Sequence, residues 1–494
     1  MSNSSGNLKI GTKSFISTVA ILLGLMIFAG ILTQVLPQGS FERVVDDNGY
    51  EMVVEGSYTL TENAEKLPVW RWFTAPFELF GDSQSLTAIV IIVFIILVGG
   101  TFSILEKADV FRYLIAATIK KFGNKKYFLL CIVTLICMLL GSTMGLLEET
   151  VPLVPILVLL SLAFGWDTLI GLGMSIMAVG FGFAAGTFNP FTVVVAQKLA
   201  DVPLFSGLSM RVVAFVLIYT LTCIFLVKHA KKVEKNPEKS FTFTGDEEKR
   251  KNLQAEDNSI LLQNKNVSRA AVTFGLSMVL ILCYVVTALA VPALSDYTMV
   301  VMAVVITLAG IIAGRISKYK EKGMAKDFFS GMLSMAPGAV LIILSMSVRF
   351  IIEKGGIMDT ILNWAYTMMK DLSPIAAILI VYLIVLIIQF FISGAASKAF
   401  LIMPLIVPLA DMIGLTRQSI VLAFQFGDGF TNVFFPTNAL LLIVLGLVSV
   451  PYSKWFRWTW KLQTAILAVT AVLLLIAVKI GYLYYFIYIL LLLD

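Results

Sequence analysis

Long apolar runs dominate this sequence and limit what it can fold into. About ten of them reach the roughly 20 residues that a helix needs to cross the hydrocarbon core of a bilayer. Of the 494 residues, 59% are hydrophobic and only 14% are charged, a balance that is not found in soluble globular domains. The short alternating segments that build membrane barrels are missing from the sequence. We therefore predict an all-α polytopic membrane protein.

Charge at the ends of the runs predicts the topology. Lys9 and Lys13 precede the first run, 15–36, which is too long for a secretory signal and lacks a small-residue cleavage site. The N-terminus is therefore expected inside, with residues 1–85 forming a first span and an acidic outer loop. Within that loop, residues 41–56 read FERVVDDNGYEMVVEG and predict a small β-hairpin with its turn at DDNG.

Cysteine and histidine usage argues against a metal site. The four cysteines, Cys131, Cys137, Cys223 and Cys283, lie inside apolar runs and lack metal-type spacing, so neither disulfides nor zinc ligands are predicted. The single histidine, His229, opens a Lys-rich segment and is interpreted as a juxtamembrane residue. The net charge of +6 is concentrated at membrane edges, where it reports topology rather than nucleic-acid binding.

Two polar interruptions mark the first half of the chain. GSTMGLLEET, residues 141–150, separates two short apolar runs and predicts a re-entrant hairpin over 127–164 with its tip at mid-membrane. GFGFAAGTFNPF, residues 180–191, interrupts the run 166–200 and predicts a broken helix. We expect residues 86–228 to form a first repeat and the hydrophilic residues 229–268 to form a cytoplasmic linker.

The second half of the chain repeats this order. Two connecting spans are expected over 269–330, followed by a second repeat over 331–494. Glu106-Lys107 aligns with Glu353-Lys354 at the end of each repeat's opening span. The polar patches SGAASKA, 393–399, and FGDGFTNVFFPTN, 426–438, predict a hairpin over 374–412 and a broken helix over 417–450. Flanking charges place the two repeats in opposite orientations, which is typical of secondary transporters that bind solute at the midplane.

Polar side chains at these four interruptions are the candidate solute-binding residues. Charged groups at membrane depth are costly and are functional candidates by default, while Ser, Thr and Asn groups and unwound backbone add neutral contacts. The candidates are Ser142, Thr143, Glu148, Glu149, Thr187, Asn189, Thr192, Ser393, Ser397, Lys398, Asp428, Thr431, Asn432, Thr437 and Asn438.

Each candidate also has a structural interpretation. Glu148 and Glu149 could serve as helix-dipole partners, the hydroxyl and amide groups could cap half-helices, and Lys398 could pair with Glu148 or Glu149. Arg211, Arg349 and Glu353 are interpreted as anchors near the membrane edges.

Other function classes fit the sequence less well. GFGFAAG lacks the strand–turn–helix context of a nucleotide loop, so no cofactor is expected and energy would come from exchange or an H⁺ or Na⁺ gradient. A membrane enzyme would need a catalytic or metal-binding cluster. The sequence has a single histidine and lacks a Cys pair with metal-type spacing, so such a cluster is not expected. Paired hairpins fit an occluded site better than an open pore. We therefore predict a transporter, not an enzyme or a channel.

Several ordered motifs give the chain a family resemblance. It resembles the YfcC-type basic amino acid antiporters, a branch of the anaerobic four-carbon dicarboxylate carriers. The motifs are LPQGSFERVVDDNGYEMVVEGSY (36–58), MGLLEETVPLVPILV (144–158), FNPF (188–191), PLADMIGLTRQSIVLAFQFGDGFTN (408–432) and VPYSKWFRW (450–458). The resemblance implies a bacterial cytoplasmic membrane location, a scaffold domain, a mobile transport domain, a homodimer in the lipid bilayer and elevator-like alternating access.

Departures from the family pattern fall at the second tip and the second break. Where the family carries an NFFIPSGSGQA-like tip, this chain reads QFFISGAASKA, with Lys398 in place of a glutamine, and PTNALLL replaces a PTSG-like sequence. Lys398 would favour a solute carboxylate or oppose a second positive charge. The predicted solute is an arginine- or ornithine-type amino acid carried by antiport. The alternative is a C4-dicarboxylate or other organic acid carried with protons or sodium.

Overall fold

The computed structural model describes most of the chain. The described residues are 12–45, 51–54, 56–61, 65–81, 85–204, 206–254, 258–291, 294, 297–319, 321–369, 372–392 and 394–482. The start of the N-terminus, the DDNG turn and the C-terminal apolar tail from residue 483 lie outside them, so the expectations for those segments stay predictions.

Helices account for most of the described residues, with four short strands near the start. The helices are α1 (Thr12–Val35), α2 (Val69–Glu78), α3 (Ser85–Lys107), α4 (Val110–Phe122), α5 (Lys126–Leu139), α6 (Val154–Ala163), α7 (Thr168–Leu172), α8 (Ala178–Ala184), α9 (Val195–Leu199), α10 (Leu208–Lys235), α11 (Phe243–Gln254), α12 (Asn258–Gln263), α13 (Lys265–Ala290), α14 (Thr298–Ile316), α15 (Glu321–Ser334), α16 (Ala336–Lys354), α17 (Met358–Met369), α18 (Pro374–Phe391), α19 (Ala395–Met412), α20 (Arg417–Gly429), α21 (Ala439–Leu447) and α22 (Tyr452–Lys479). The strands are β1 (Gly39–Ser40), β2 (Arg43–Val45), β3 (Glu51–Val53) and β4 (Thr59–Leu60).

Membrane-crossing capacity agrees with the sequence. Among the described residues, ten helical stretches are long and apolar enough to cross a bilayer. Their side chains join one continuous apolar core, in which α3 packs against α14 and α15, α1 against α16, and α18 against α20. The prediction of a helical multi-pass membrane protein is confirmed.

The loop between α1 and α2 contains the antiparallel strand pairing that the sequence predicts and adds a second pairing. β2 and β3 are antiparallel, with Arg43 opposite Val53, and β1 pairs with β4 in the same way. Asp359, at the start of α17, holds this loop by accepting hydrogen bonds from the Arg43 guanidinium at 2.8 Å and the Phe41 amide at 2.9 Å. The loop is therefore tied to the second half of the chain.

The first half of the predicted linker is built into the fold. Asp246 of α11 accepts hydrogen bonds from the Thr168 amide at 2.9 Å and from the Thr168 hydroxyl, at the first residue of α7. Lys249, one turn further on, donates to the Val448 carbonyl at 2.8 Å, just past the end of α21. Burial raises the pKa of the Asp246 carboxyl, against the opposing effect of the Lys249 ammonium. Helix α11 thus contacts the ends of two separate helical segments.

A second group fastens the turn that precedes α7. Asp167 is fully buried and caps α7 by accepting from the Ile170 amide at 3.0 Å. Its other oxygen lies 2.8 Å from His229 Nε2 and accepts from Ser240 Oγ at 2.7 Å. His229, interpreted from the sequence as a juxtamembrane residue, therefore has its ring packed inside this junction.

We expect Lys249→Met to weaken the contact of α11 with the start of α7 and the end of α21. The substitution removes the donor to Val448 and leaves Asp246 without its neighbouring positive charge, so stability should fall by about 1–3 kcal/mol. Thermal unfolding of the purified protein in detergent measures this. Lys251→Met on the same helix is the control, because its side chain is 73% exposed and surface pairs contribute little. Equal melting temperatures for the two variants would contradict the assignment.

Candidate functional site

Helical structure stops inside both segments where the sequence predicts a break. Helix α8 ends at Ala184, and a π-helical turn resumes at Pro190 and leads into α9. Helix α20 ends at Gly429, and α21 begins at Ala439. In a bilayer the backbone groups released at such ends need partners from the protein. The side chains that supply those partners define the site.

Ser142 secures the first interruption. Its hydroxyl donates to the Ala185 carbonyl at 3.0 Å, and its hydroxyl and carbonyl oxygens accept from the Thr187 amide at 3.0 and 2.9 Å. Thr143 donates to Leu139 within its own helix at 2.7 Å. GSTM, the start of the first polar stretch, therefore lies directly against the 185–188 backbone.

Asn189 caps the helix that follows the first interruption. Its Oδ1 accepts from the amides of Phe191 at 2.9 Å and Thr192 at 3.3 Å, and its Nδ2 donates to the Phe183 carbonyl at 3.2 Å. Both ends of this buried amide are thus used for backbone groups. The capping interpretation accounts for every hydrogen bond just described.

A chain of amides secures the second interruption. Asn438 caps α21 by accepting from the Leu441 amide at 3.4 Å and donates from Nδ2 to Asn432 Oδ1 at 3.0 Å. Gln389 of α18 donates to the same Asn432 oxygen. The Thr437 carbonyl accepts from Ser345 of α16 at 2.6 Å. Three helices therefore meet at residues 430–438.

Gln425 joins the two interruptions. Its Nε2 donates to the carbonyls of Ala184 at 2.9 Å and Gly186 at 2.8 Å, so a side chain of α20 satisfies the end of α8. Gly429 lies against the same residue, since an added Cβ would fall 2.3 Å from Ala184 Cα. The two predicted breaks therefore occupy one place in the fold.

Lys398 and Asp428 form an ion pair at this place. Both side chains are 0% exposed, and Lys398 Nζ lies within ion-pair distance of Asp428 Oδ1. Among the described side chains the ion-pair partner of Lys398 is therefore Asp428 and not Glu148, and the predicted alternative with Glu149 stays a prediction because the Glu149 side chain lies outside the described part of the chain. The sequence could not identify Asp428 as the partner of Lys398, because only the packing of α19 against α20 brings the two side chains together.

The remaining candidates are more scattered. Thr431 is buried beside Asn432, whereas Ser397 is exposed at the start of α19. Glu148 is half-buried and opens a 3₁₀ segment, Glu148–Leu153. Ser393 and the Glu149 side chain lie outside the described part of the chain. Sequence reasoning missed Gln389 and Gln425, although Gln425 precedes Asp428 by three residues and so shares its helical face.

The family of this chain is shown by its sequence. The sequence model of the C4-dicarboxylate anaerobic carrier family, DcuC, matches residues 15–479. This chain belongs to that family. It is a membrane transporter, and the relatives that support this assignment extend over nearly its whole length.

Two full-length relatives show the closeness of the match. The Escherichia coli K12 protein named "Putative basic amino acid antiporter YfcC" is 28% identical over 503 residues, covering 94% of this chain and 96% of the relative. An uncharacterized protein of Haemophilus influenzae Rd is 25% identical over 506 residues, covering 95% and 98%. The predicted resemblance to YfcC-type carriers is confirmed.

Solved structures of two transporters resemble the chain more distantly. The YdaH transporter of Alcanivorax borkumensis is 16% identical with a TM-score of 0.41, covering 94% of this chain and 98% of that one. MtrF of Neisseria gonorrhoeae, described within a class of antimetabolite efflux pumps, is 18% identical with a TM-score of 0.43, covering 94% and 95%.

We expect Gly429→Ala to disturb the junction between the interruptions. The new methyl group would meet the backbone of Ala184, which cannot rotate away, so stability should fall by about 1–3 kcal/mol. Gly275→Ala in α13 is the matched control, because nothing lies within 4 Å of its added Cβ. Thermal unfolding in detergent should separate the two, and an unchanged melting temperature for Gly429→Ala would exclude the close packing.

We also expect Lys398 and Asp428 to stabilise the protein as a pair. Lys398→Met or Asp428→Asn alone leaves an uncompensated buried charge and should cost about 3–5 kcal/mol, whereas the double variant should recover most of that loss. Thermal unfolding of the two single variants and the double variant measures the coupling. Glu247→Gln at an exposed pair should have no effect. Additive losses in the double variant would show that the two charges do not interact.

Proposed function

We propose that this carrier is a secondary active transporter that exchanges arginine- or ornithine-type amino acids across the bacterial cytoplasmic membrane. The buried Lys398–Asp428 pair beside two interrupted helices is the observation that carries the proposal. The carboxylate and the α-ammonium group of an amino acid each find a group of opposite charge at this place. The likeness to YfcC supports the same solute class.

The proposed transport mechanism is elevator-like movement of inverted repeats. Helices α3 and α16 both end in Glu-Lys and lead into the short helices α4 and α17, which supports a repeat. We assign α5–α6 and α18–α19 as re-entrant hairpins, with the N-terminus inside and a homodimer as the working assembly. The bonds from α11 to Thr168 and Val448 support movement of both interrupted helices as one transport domain.

A C4-dicarboxylate or other organic acid moved with protons or sodium is the second candidate. The name of the matching family favours it, and Lys398 could receive a carboxylate once it separates from Asp428. Asp428 argues against it, since a buried carboxylate next to the solute would repel a dianion.

Counterflow into proteoliposomes distinguishes the two solutes. Vesicles loaded with unlabelled arginine, ornithine, lysine, succinate or a neutral amino acid should accumulate labelled arginine only when a basic amino acid is inside. A sodium or pH gradient should not be required, because exchange supplies the driving force. Vesicles without protein are the control. Exchange confined to succinate, or uptake that depends on a cation gradient, would favour the organic-acid carrier.

A further inference from the structure

The hydrogen bonds of Gln425 Nε2 fix the direction in which Gln425 Oε1 points. The residue is 0% exposed, and its Nε2 donates to two carbonyls at the end of α8, those of Ala184 and Gly186. Turning the amide over would place Oε1 against both carbonyl oxygens, so the assignment of nitrogen and oxygen follows from the hydrogen bonds. Oε1 therefore points away from the first interruption.

Gln389 is fixed by a longer chain of the same kind. The Leu441 amide donates to Asn438 Oδ1, which sets the Asn438 amide, and Asn438 Nδ2 then donates to Asn432 Oδ1. With Asn432 Oδ1 so placed, Gln389 must present Nε2 to it. Gln389 is 3% exposed, and its Oε1 is left on the side away from Asn432.

Both oxygens belong to a group of buried acceptors at the interruptions. Within the described part of the chain, the Oε1 atoms of Gln389 and Gln425 and the hydroxyls of Thr192 and Thr431 have no hydrogen-bond partner. Both Asp428 oxygens and Lys398 Nζ also lack a hydrogen bond but face each other as an ion pair, so acceptors outnumber the single ammonium. Buried polar atoms are rarely left in this state. Gln425 lies one helical turn before Asp428, so carboxylate and amide oxygens line the same face.

A region rich in acceptors selects a ligand rich in donors. An ammonium carries three N–H donors and a guanidinium five, whereas a dicarboxylate offers only acceptors, which amide oxygens oppose. We propose that Gln425 and Gln389 bind the cationic nitrogen group of the solute through their side-chain oxygens. This inference rests on the proposed function and narrows it, because it assigns the side-chain cation of the solute, as distinct from its α-ammonium group, to residues outside the charged pair.

Affinity ratios in detergent test the assignment without depending on how much protein is folded. Arginine and citrulline have nearly the same shape, but citrulline carries a neutral ureido group where arginine carries the guanidinium. Wild-type protein should bind arginine at least tenfold more tightly. Gln425→Met and Gln389→Met should each reduce that preference about tenfold, the effect of one hydrogen bond to a charged group.

Gln418→Met is the matched control. Gln418 is also buried in α20, but both ends of its amide are used, since Nε2 donates to the Ser206 carbonyl at 2.8 Å and Oε1 accepts from Ser206 Oγ at 3.1 Å. Its substitution should leave the arginine-to-citrulline ratio unchanged.

Two results would overturn the inference, and they are distinguishable. A wild-type preference that survives both Gln425→Met and Gln389→Met would mean that the oxygens face water rather than solute, while the proposed transport of basic amino acids still stands. Wild-type protein that binds succinate and neither arginine nor ornithine would remove the proposed function together with this assignment, because the acceptor oxygens cannot serve a dicarboxylate.

Discussion

This structure depends on one constraint: every backbone amide and carbonyl in a medium without water needs a hydrogen-bond partner from the protein. A helix that stops within an apolar run releases amides and carbonyls that hydrocarbon cannot bind. Here side chains replace the missing helical partners: Ser142 and Asn189 at the first interruption, Asn438 at the second, and Gln425 across both. Because Gln425 belongs to one interrupted helix and satisfies the other, the two interruptions depend on each other for stability.

This use of side chains divides the polar residues into two groups. Ser142, Asn189 and Asn438 each hydrogen-bond backbone groups at a helix end, and Asn438 also donates to Asn432, so their polarity supports the fold. Lys398 and Asp428 have each other, and the glutamine oxygens face away from the groups that hold their nitrogens. The proposed solute contacts therefore belong to the second group, in which Asp428 and Gln425 lie one turn apart on α20 while Lys398 and Gln389 come from α19 and α18.

Helix α11, in the predicted linker, connects the two interrupted segments. Asp246 binds the start of α7, where the first interrupted segment begins, and Lys249 binds the residue after α21, where the second interrupted segment ends. Two segments that meet at their interruptions and are joined again at their ends form a closed loop of contacts. Such a loop favours movement of both segments as a unit over independent bending, which is what the proposed elevator-like mechanism requires.

The sequence by itself determined the multi-pass helical class, the pairing of β2 with β3 and the places where helices stop. Each follows from local composition: apolar length, alternating residues on either side of a turn signal, or Gly, Pro and Asn within an apolar run. It also selected Lys398 and Asp428 as important, since buried charge is costly wherever it occurs. Only the tertiary structure decided that these two pair with each other, that Gln425 reaches residues 184–186, and that α11 is docked. Those partners lie up to 241 positions apart along the chain, and no local pattern encodes which distant surfaces meet.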